Sequence, residues 1–396
     1  THRTHTYMSA LGSAYYTVDA SLFGAGGLVL QIVPPALFFL VPFVATLLLP
    51  FSWAPVAAAV VAFAAFLPRL LWQPSKPAEG AAFWLANCLY WNLVYPSFFG
   101  SPLLIALCCY LKPMVFLPLV GIWLIHSRFV SRPDLGSGAP WKYFAQHDWG
   151  IVALRRYLRL RLHVSMALRE RDANKPVVIA IHPHGVASDY RVAMDGMLYD
   201  ALPGRKVFTL AASVLFTLPL VRELVLWTRC IDASKKIATR ALKQGLSLCV
   251  IPGGEAEQMR TQTGVEEVYL AKRAGFVKLA MQHGAALVPV YAFGTTDLYD
   301  ISPRQHALNS RGFLWTLSKR FGVAMPLYQG ALGFVPKRHP NDLVFGTPIE
   351  PACSIPGQPT DAEVQAAHAE YIRALKQLFD EHKVALGYGD RELTVA

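Results

Sequence analysis

The sequence predicts an α/β protein, an open and largely parallel β-sheet flanked by helices, preceded by N-terminal hydrophobic membrane segments. Three observations carry this. Beyond Lys175, short apolar runs alternate with stretches of helical period, the pattern of parallel strands joined by crossover helices. Before Ser127 the chain contains uncharged apolar runs, one of them long enough to cross about 30 Å of hydrocarbon as a helix. Of the 396 residues, 54% are hydrophobic and only 16% charged. Soluble domains carry about 25% charged residues, so the balance is that of a membrane protein.

Residues 1 to about 20 are polar and slightly basic, with no apolar stretch early enough for a cleaved signal peptide. The opening Thr1 suggests a trimmed or partial start. Leu28 to Leu49 carries no charge but contains Pro34, Pro35 and Pro42, which should bend it. Ala54 to Leu67 is shorter and ends at Pro68 and Arg69, so the pair reads as a hairpin returning to its starting face. A third run, Pro102 to Ile125, includes Lys112 and Pro113, with Trp84, Trp91 and Trp123 as interfacial residues. It reads either as a span or re-entrant segment or as a core helix, since Lys112 is costly in lipid. Composition changes at Ser127, which divides the chain into a membrane-anchoring region, 1–127, and an α/β domain, 128–396.

In that domain Arg155, Arg156, Arg159 and Arg161 alternate with Leu154, Leu158, Leu160 and Leu162. Such a stretch either lies on anionic headgroups or forms a solvated helix face packed on a core. Val177 to Ile181, Val207 to Ala211, Leu246 to Ile251 and Ala286 to Tyr291 read as strands. Ser234 starts a helix that Gly245 ends, and Gly275 to His283 is a second. Thr360 and Glu363 form a capping box for a terminal helix with Val364, Ala367, Tyr371, Leu375 and Leu378 on one face. Ser213 to Trp227 is apolar enough for core, for the bilayer or for the lining of an apolar tunnel.

The net charge of +11, from 37 Lys and Arg against 26 Asp and Glu, favours a phosphate-rich partner or an anionic membrane face. It does not point to nucleic acid, because the basic residues are not interleaved with aromatics in a compact recognition motif. The six cysteines, Cys88, Cys108, Cys109, Cys230, Cys249 and Cys353, form no CxxC pair and read as small hydrophobes in a reducing compartment. No Asn-x-Ser/Thr sequon occurs. Both features fit a body facing the cytosol.

The candidate chemistry lies at Val177 to Asp189, where a buried strand runs into His182, Pro183, His184 and Gly185. Imidazole, with an ordinary pKa of about 6.5, is suited to taking a proton near neutral pH. Asp189, five residues after His184, is close enough through one turn to orient its ring. Structural histidines and half of a metal site, completed by His283 or Asp297, are the competing readings. A second strand, Leu246 to Ile251, runs into Pro252, Gly253, Gly254, Glu255, Ala256 and Glu257. The glycine pair is a simple turn or brings backbone amides to a ligand. Ligands in open α/β sheets bind beyond the carboxyl ends of strands, so the two loops are expected to converge.

His182-Pro183-His184-Gly185, then PGGEAE, then KRAGFVKLAMQHGAALVPVYAFGTTDLYD from Lys272, and then MPLYQG, FGTPIE and FDEHK together resemble the diacylglycerol acyltransferase type 2 family. Tyr143 and Phe144 match a further short motif, and the likeness covers roughly 141–396. Gly253, Gly254 and Glu257 fall on its Gly-Gly-x-x-Glu element, and Arg273, Gly275 and Phe276 on its Arg-x-Gly-Phe element. Asp189, where many members have an apolar residue, also makes His184-x4-Asp189 similar to the His-x4-Asp motif of glycerolipid acyltransferases. Gly294-Thr295-Thr296-Asp297 departs from the usual Gly-Glu-Asn-Asp/Glu.

The resemblance implies a membrane-anchored, glycerolipid-acyltransferase-like sheet that transfers an acyl group from acyl-CoA to diacylglycerol, giving triacylglycerol. Monoacylglycerol or a long-chain alcohol would serve as acceptor by the same chemistry. A lipid hydrolase fits less well, since the chain lacks a Gly-x-Ser-x-Gly elbow. His184 is expected to be the base, or His182 with His184 shaping the turn. Asp189 or Glu257 would hold the ring and stabilise its charge, and amides around Gly253 and Gly254 would meet the oxyanion. Arg260, Lys272, Arg273 and Lys278 are candidates for the CoA phosphates. No metal or cofactor is needed, acyl-CoA being a substrate. Membrane lipids and a homo-oligomer are the expected further partners. The implied location is the endoplasmic reticulum membrane with the catalytic domain in the cytosol, and lipid droplets besides.

Overall fold

The computed structural model describes residues 11–20 and 105–396, apart from 220, 322, 323 and 325. The expected hairpin of Leu28 to Leu49 and Ala54 to Leu67 lies outside the described residues. The strands are β1 (Tyr15–Asp19), β2 (Leu160–Ser165), β3 (Val177–His182), β4 (Val207–Ala211), β5 (Cys230–Asp232), β6 (Ser247–Val250), β7 (Glu267–Val268), β8 (Ala286–Phe293), β9 (Asn341–Phe345) and β10 (Thr394–Val395). Eight form one mixed sheet in the order β1-β2-β9-β8-β3-β6-β4-β5, while β10 pairs with β7. Within it β2 and β9, β8 and β3, and β3, β6, β4 and β5 run parallel. The β1–β2 and β8–β9 pairs are antiparallel. The predicted α/β class, with a mostly parallel sheet flanked by helices, is the one observed. The strand at Tyr15–Asp19 was not expected, because five residues at an edge show their pairing only beside β2.

Among the helices are α1 (Pro113–Ile125), α2 (Lys142–His147), α3 (Trp149–Tyr157), α4 (Asp189–Ala201), α5 (Val221–Trp227), α6 (Lys235–Lys243), α7 (Gly254–Arg260), α8 (Gly275–Gln282), α9 (Pro303–Arg311), α10 (Phe313–Phe321) and α11 (Asp361–Lys383). β3 shows how they cover the sheet. Its odd residues Val177, Ile179 and Ile181 pack with Tyr190, Ala193 and Met197 of α4. Its even residues Val178 and Ala180 share the other core with Val277 of α8 and Tyr371 of α11. The strand is buried throughout, which is why it reads as a continuous apolar run.

β3 and β6 are neighbours; α4, which follows β3, packs on one face of the sheet, and α8, the second helix after β6, on the other. The loops after β3 and β6 meet at their carboxyl ends, where Glu257 accepts from His184 N, and in sheets of this kind that end holds the ligand crevice. The capping box of α11 forms as predicted, with Thr360 Oγ1 accepting from Glu363 N at 3.2 Å and Glu363 Oε2 accepting from Thr360 N at 2.7 Å.

One expectation is corrected and one open reading is decided. The arginine and leucine stretch does not lie as one helix on headgroups. It spans α3 and β2, with Leu158, Leu160 and Leu162 wholly buried. Arg155 is buried too, its guanidinium donating to the carbonyls of Ala193, Ala145 and Gln146, while Arg161 pairs with Asp342 at 2.6 Å. In Ser213 to Trp227, Phe216, Val221, Val225 and Leu226 form a small core with Ala211 and Cys230, the core reading of that stretch. By contrast, no residue of α1 is buried. Pro113–Leu135 is the one described stretch long and apolar enough to cross a membrane. The five cysteines among the described residues carry free thiols.

Candidate active site

β3 delivers His182 and His184 to the crevice, and they fare differently. His182, the last residue of β3, is 0% exposed. Neither of its ring nitrogens has a hydrogen-bond partner, and burial pushes its pKa down to about 3. Its ring lies 6.0 Å from that of Tyr371. His184 is half-buried, and burial lowers its pKa as well, so the ring is neutral at physiological pH.

The tautomer of His184 follows from its neighbours. Nδ1 lies 3.0 Å from the carbonyl of Gly185, an oxygen that only accepts. Nδ1 therefore carries the hydrogen and Nε2 the lone pair. The hydroxyl of Ser188 stands 3.0 Å from Nδ1 and 3.3 Å from Nε2, and donates to the His184 carbonyl at 3.1 Å. Ser188 sits in the left-handed region at φ 50°, which turns its side chain back over the loop. Sequence reasoning missed it; its spacing four residues from His184 was the available signal.

Neither carboxylate assigned to the ring touches it. Asp189 is buried, its Oδ1 accepts from the Tyr299 hydroxyl at 2.9 Å, and burial pushes its carboxyl up to about 6. The residue opens α4, and the helix carries it towards Tyr299 rather than back to the imidazole. Glu257 is buried as well and instead clamps two backbones. Oε1 accepts from His184 N, and Oε2 accepts from Tyr269 N at 2.7 Å. Burial pushes it up to about 7.

Both glycine elements serve close packing. A Cβ on Gly253 would fall 2.2 Å from Glu257 Oε2, so the glycine makes room for the clamp. Gly254 N donates to Ile251 O at 3.1 Å, which commits that amide to the turn and removes it from the expected oxyanion site. Gly185, at φ 66°, would place a Cβ 2.3 Å from Thr295 Cγ2. Thr295 accepts from Asn341 Nδ2 at 2.9 Å, so the departing Gly-Thr-Thr-Asp element props the histidine loop. Asp297 receives Arg391 at 2.7 and 2.9 Å.

The basic candidates separate. The Arg260 and Arg273 guanidinium groups stand 5.1 and 5.4 Å from the ring of Tyr269, beside the clamped loop. Lys272 is exposed next to them. Lys278 is turned away, paired with Asp361 at 2.8 Å. The metal reading loses its geometry. His283 precedes β8 at the amino end of the sheet, opposite His182 and His184, and no metal-holding group of His, Cys, Asp or Glu occurs among the described residues.

A half-buried imidazole, with Nδ1 on the Gly185 carbonyl and Ser188 over the ring, thus stands at the carboxyl end of the central strand, where sites of α/β enzymes lie. The chain belongs to the diacylglycerol acyltransferase family, whose model matches residues 108–395. It is 34% identical over 246 residues to diacylglycerol O-acyltransferase 2 of Dictyostelium discoideum, covering 58% of this chain and 73% of that protein. To diacylglycerol O-acyltransferase 1 of Eremothecium gossypii it is 30% identical, covering 68% of this chain and 60% of the relative. To 2-acylglycerol O-acyltransferase 1 of Mus musculus it is 26% identical, covering 78% and 96%.

Proposed function

We infer that this chain transfers a fatty acyl group from acyl-CoA to the free hydroxyl of diacylglycerol, with His184 as general base. The observation that carries the assignment of the base is the Gly185 carbonyl 3.0 Å from His184 Nδ1, which leaves Nε2 to accept a proton. Nε2 takes the proton of the acceptor hydroxyl as its oxygen attacks the thioester carbonyl. The tetrahedral intermediate collapses, the C–S bond breaks, and the CoA thiolate leaves and recovers the proton from the imidazolium. No covalent enzyme intermediate is required, because a thiolate is a good leaving group. Glu257 holds the backbone beneath the base, and Arg260, Lys272 and Arg273 are placed for the CoA phosphates. The enclosed His182 is a packing residue of the turn.

The wider setting belongs to the same reading. Residues 1–127 anchor the chain in the endoplasmic reticulum membrane, 128–396 form the catalytic domain on its cytosolic side, and the enzyme also reaches lipid droplets. A second acceptor, monoacylglycerol, is favoured by the mouse relative, whose name specifies 2-acylglycerol.

The test uses labelled acyl-CoA with the full chain in detergent, offering diacylglycerol, monoacylglycerol and a long-chain alcohol in turn. Wild type should form triacylglycerol. His184→Ala should lose about 10²–10⁴-fold in kcat, the range of general-base catalysis. Ser188→Ala should lose about two- to tenfold, the worth of one hydrogen bond. Normal turnover by His184→Ala with loss in His182→Gln would move the base to His182. Release of free fatty acid alone would replace transfer by hydrolysis.

A further inference from the structure

The 40 residues 301–340, between β8 and β9, contain six Lys or Arg and no Asp or Glu. They include α9 and α10 and expose an unusual set of apolar side chains: Leu308, Phe313, Leu327, Leu332 and Phe334, with Phe313 72% exposed. Arg304, Arg311, Arg320 and Arg338 are exposed among them. This arm joins the active site directly. Ser318 Oγ donates to Glu255 Oε1 at 2.7 Å, His306 Nε2 lies 3.2 Å from Arg260 O, and both contacts fall on α7, the helix that carries Glu257.

We propose that this arm is a membrane-docking surface for anionic phospholipid, separate from α1, that seats the mouth of the active site on the bilayer. The charge pattern selects the occupant. Lys319 and Lys337 pair with Glu255 and Asp300, at 3.6 and 2.6 Å, and the remaining Arg304, Arg311, Arg320 and Arg338 repel a second copy of the same surface but match anionic headgroups. Apolar side chains interspersed with arginines are the composition that enters the headgroup and acyl boundary. The arm follows the carboxyl end of β8, beside β3, so docking holds the crevice against the phase in which a lipid acceptor is dissolved. The surface stands without the acyl-transfer reading; only its consequence for acceptor delivery rests on it.

The experiment places the full chain in nanodiscs of phosphatidylcholine with or without phosphatidylserine, with the photocrosslinker benzoylphenylalanine replacing Phe313. Crosslinks to phospholipid should rise at least about threefold with phosphatidylserine. They should fall back to the phosphatidylcholine level in the variant Arg304→Gln, Arg311→Gln, Arg320→Gln, Arg338→Gln. The same variant should lose rate on long-chain diacylglycerol in the disc while keeping its rate on a water-soluble short-chain acceptor. Crosslinks to a second copy of the chain, or lipid crosslinks indifferent to phosphatidylserine, would overturn the proposal. Absence of turnover with every acceptor, in wild type too, would defeat the acyl-transfer reading and leave the crosslinks to decide the docking surface.

Discussion

Asp189 is buried, with Oδ1 on the Tyr299 hydroxyl, and burial pushes its carboxyl up from 3.8 to about 6. Because the folded state binds this proton more tightly than the unfolded chain, the contribution of Asp189 to stability is full below pH 3.8 and is lost as pH rises through about 6. The loss is up to about 3 kcal/mol, at 1.36 kcal/mol per pKa unit. Asp189→Asn keeps an acceptor for Tyr299 and removes the titration. Melting in detergent between pH 4 and 7 should therefore show a flatter profile than wild type, with turnover at pH 7 close to wild type. A large loss of turnover would return Asp189 to the imidazole. Gly185 offers a second test at this scale. Gly185→Ala adds about 1–2 kcal/mol of left-handed strain to its overlap with Thr295, and should lower both melting temperature and turnover. Adding Thr295→Ser removes the methyl group in the way and should recover part of both, whereas no recovery would place the strain elsewhere.

At the scale of elements, the segment from Thr261 to Arg273 is held by the end of the chain. Thr394 N donates to Glu266 O, and Leu270 N and Ala271 N donate to Ala396 O, each at 2.9 Å. Arg391 bridges Asp297 and the buried Glu266. Tyr269 lies within that segment and donates to Glu257, so the tail reaches the His184 backbone through three contacts in series. Arg391→Met leaves Glu266 buried beside the Tyr291 hydroxyl without its cation. It should destabilise the fold by about 2 kcal/mol, the worth of a charged hydrogen bond, and reduce kcat more than the KM for acyl-CoA. Equal kcat at temperatures where the variant is folded would separate the tail from the site.

For the whole molecule, most of the exposed large apolar side chains among the described residues lie on or beside α1 and in the 301–340 arm, which departs from the same sheet end as the His184 loop. Pro113–Leu135 is long and apolar enough to cross a membrane. A variant in which a flexible linker replaces 21–104, keeping β1 in the sheet, should stay in the pellet after alkaline carbonate extraction; release into the supernatant would place membrane attachment in the deleted residues. Such retention by one segment, with a second surface of arginines and apolar residues near the site, suits an enzyme whose acceptor never leaves the bilayer.

The sequence by itself determined the α/β class, the strand at Val177 to Ile181, the capping box at Thr360, and the two loops expected at one end of the sheet. Each depends on neighbours in the chain: periodicity, glycine freedom and side-chain hydrogen bonds over three residues. Only the tertiary structure decided which acid does what. Asp189 and Glu257 are near His184 in sequence or topology, but Tyr299, Tyr269 and the backbone of the loop capture them. Those partners lie 110, 12 and 73 residues away. The position of Ser188 over the ring, the role of Asp297 under Arg391 and the burial of Arg155 share that cause. A polar group inside a fold bonds to whatever donor or acceptor packing brings within reach, and packing is a property of the whole chain.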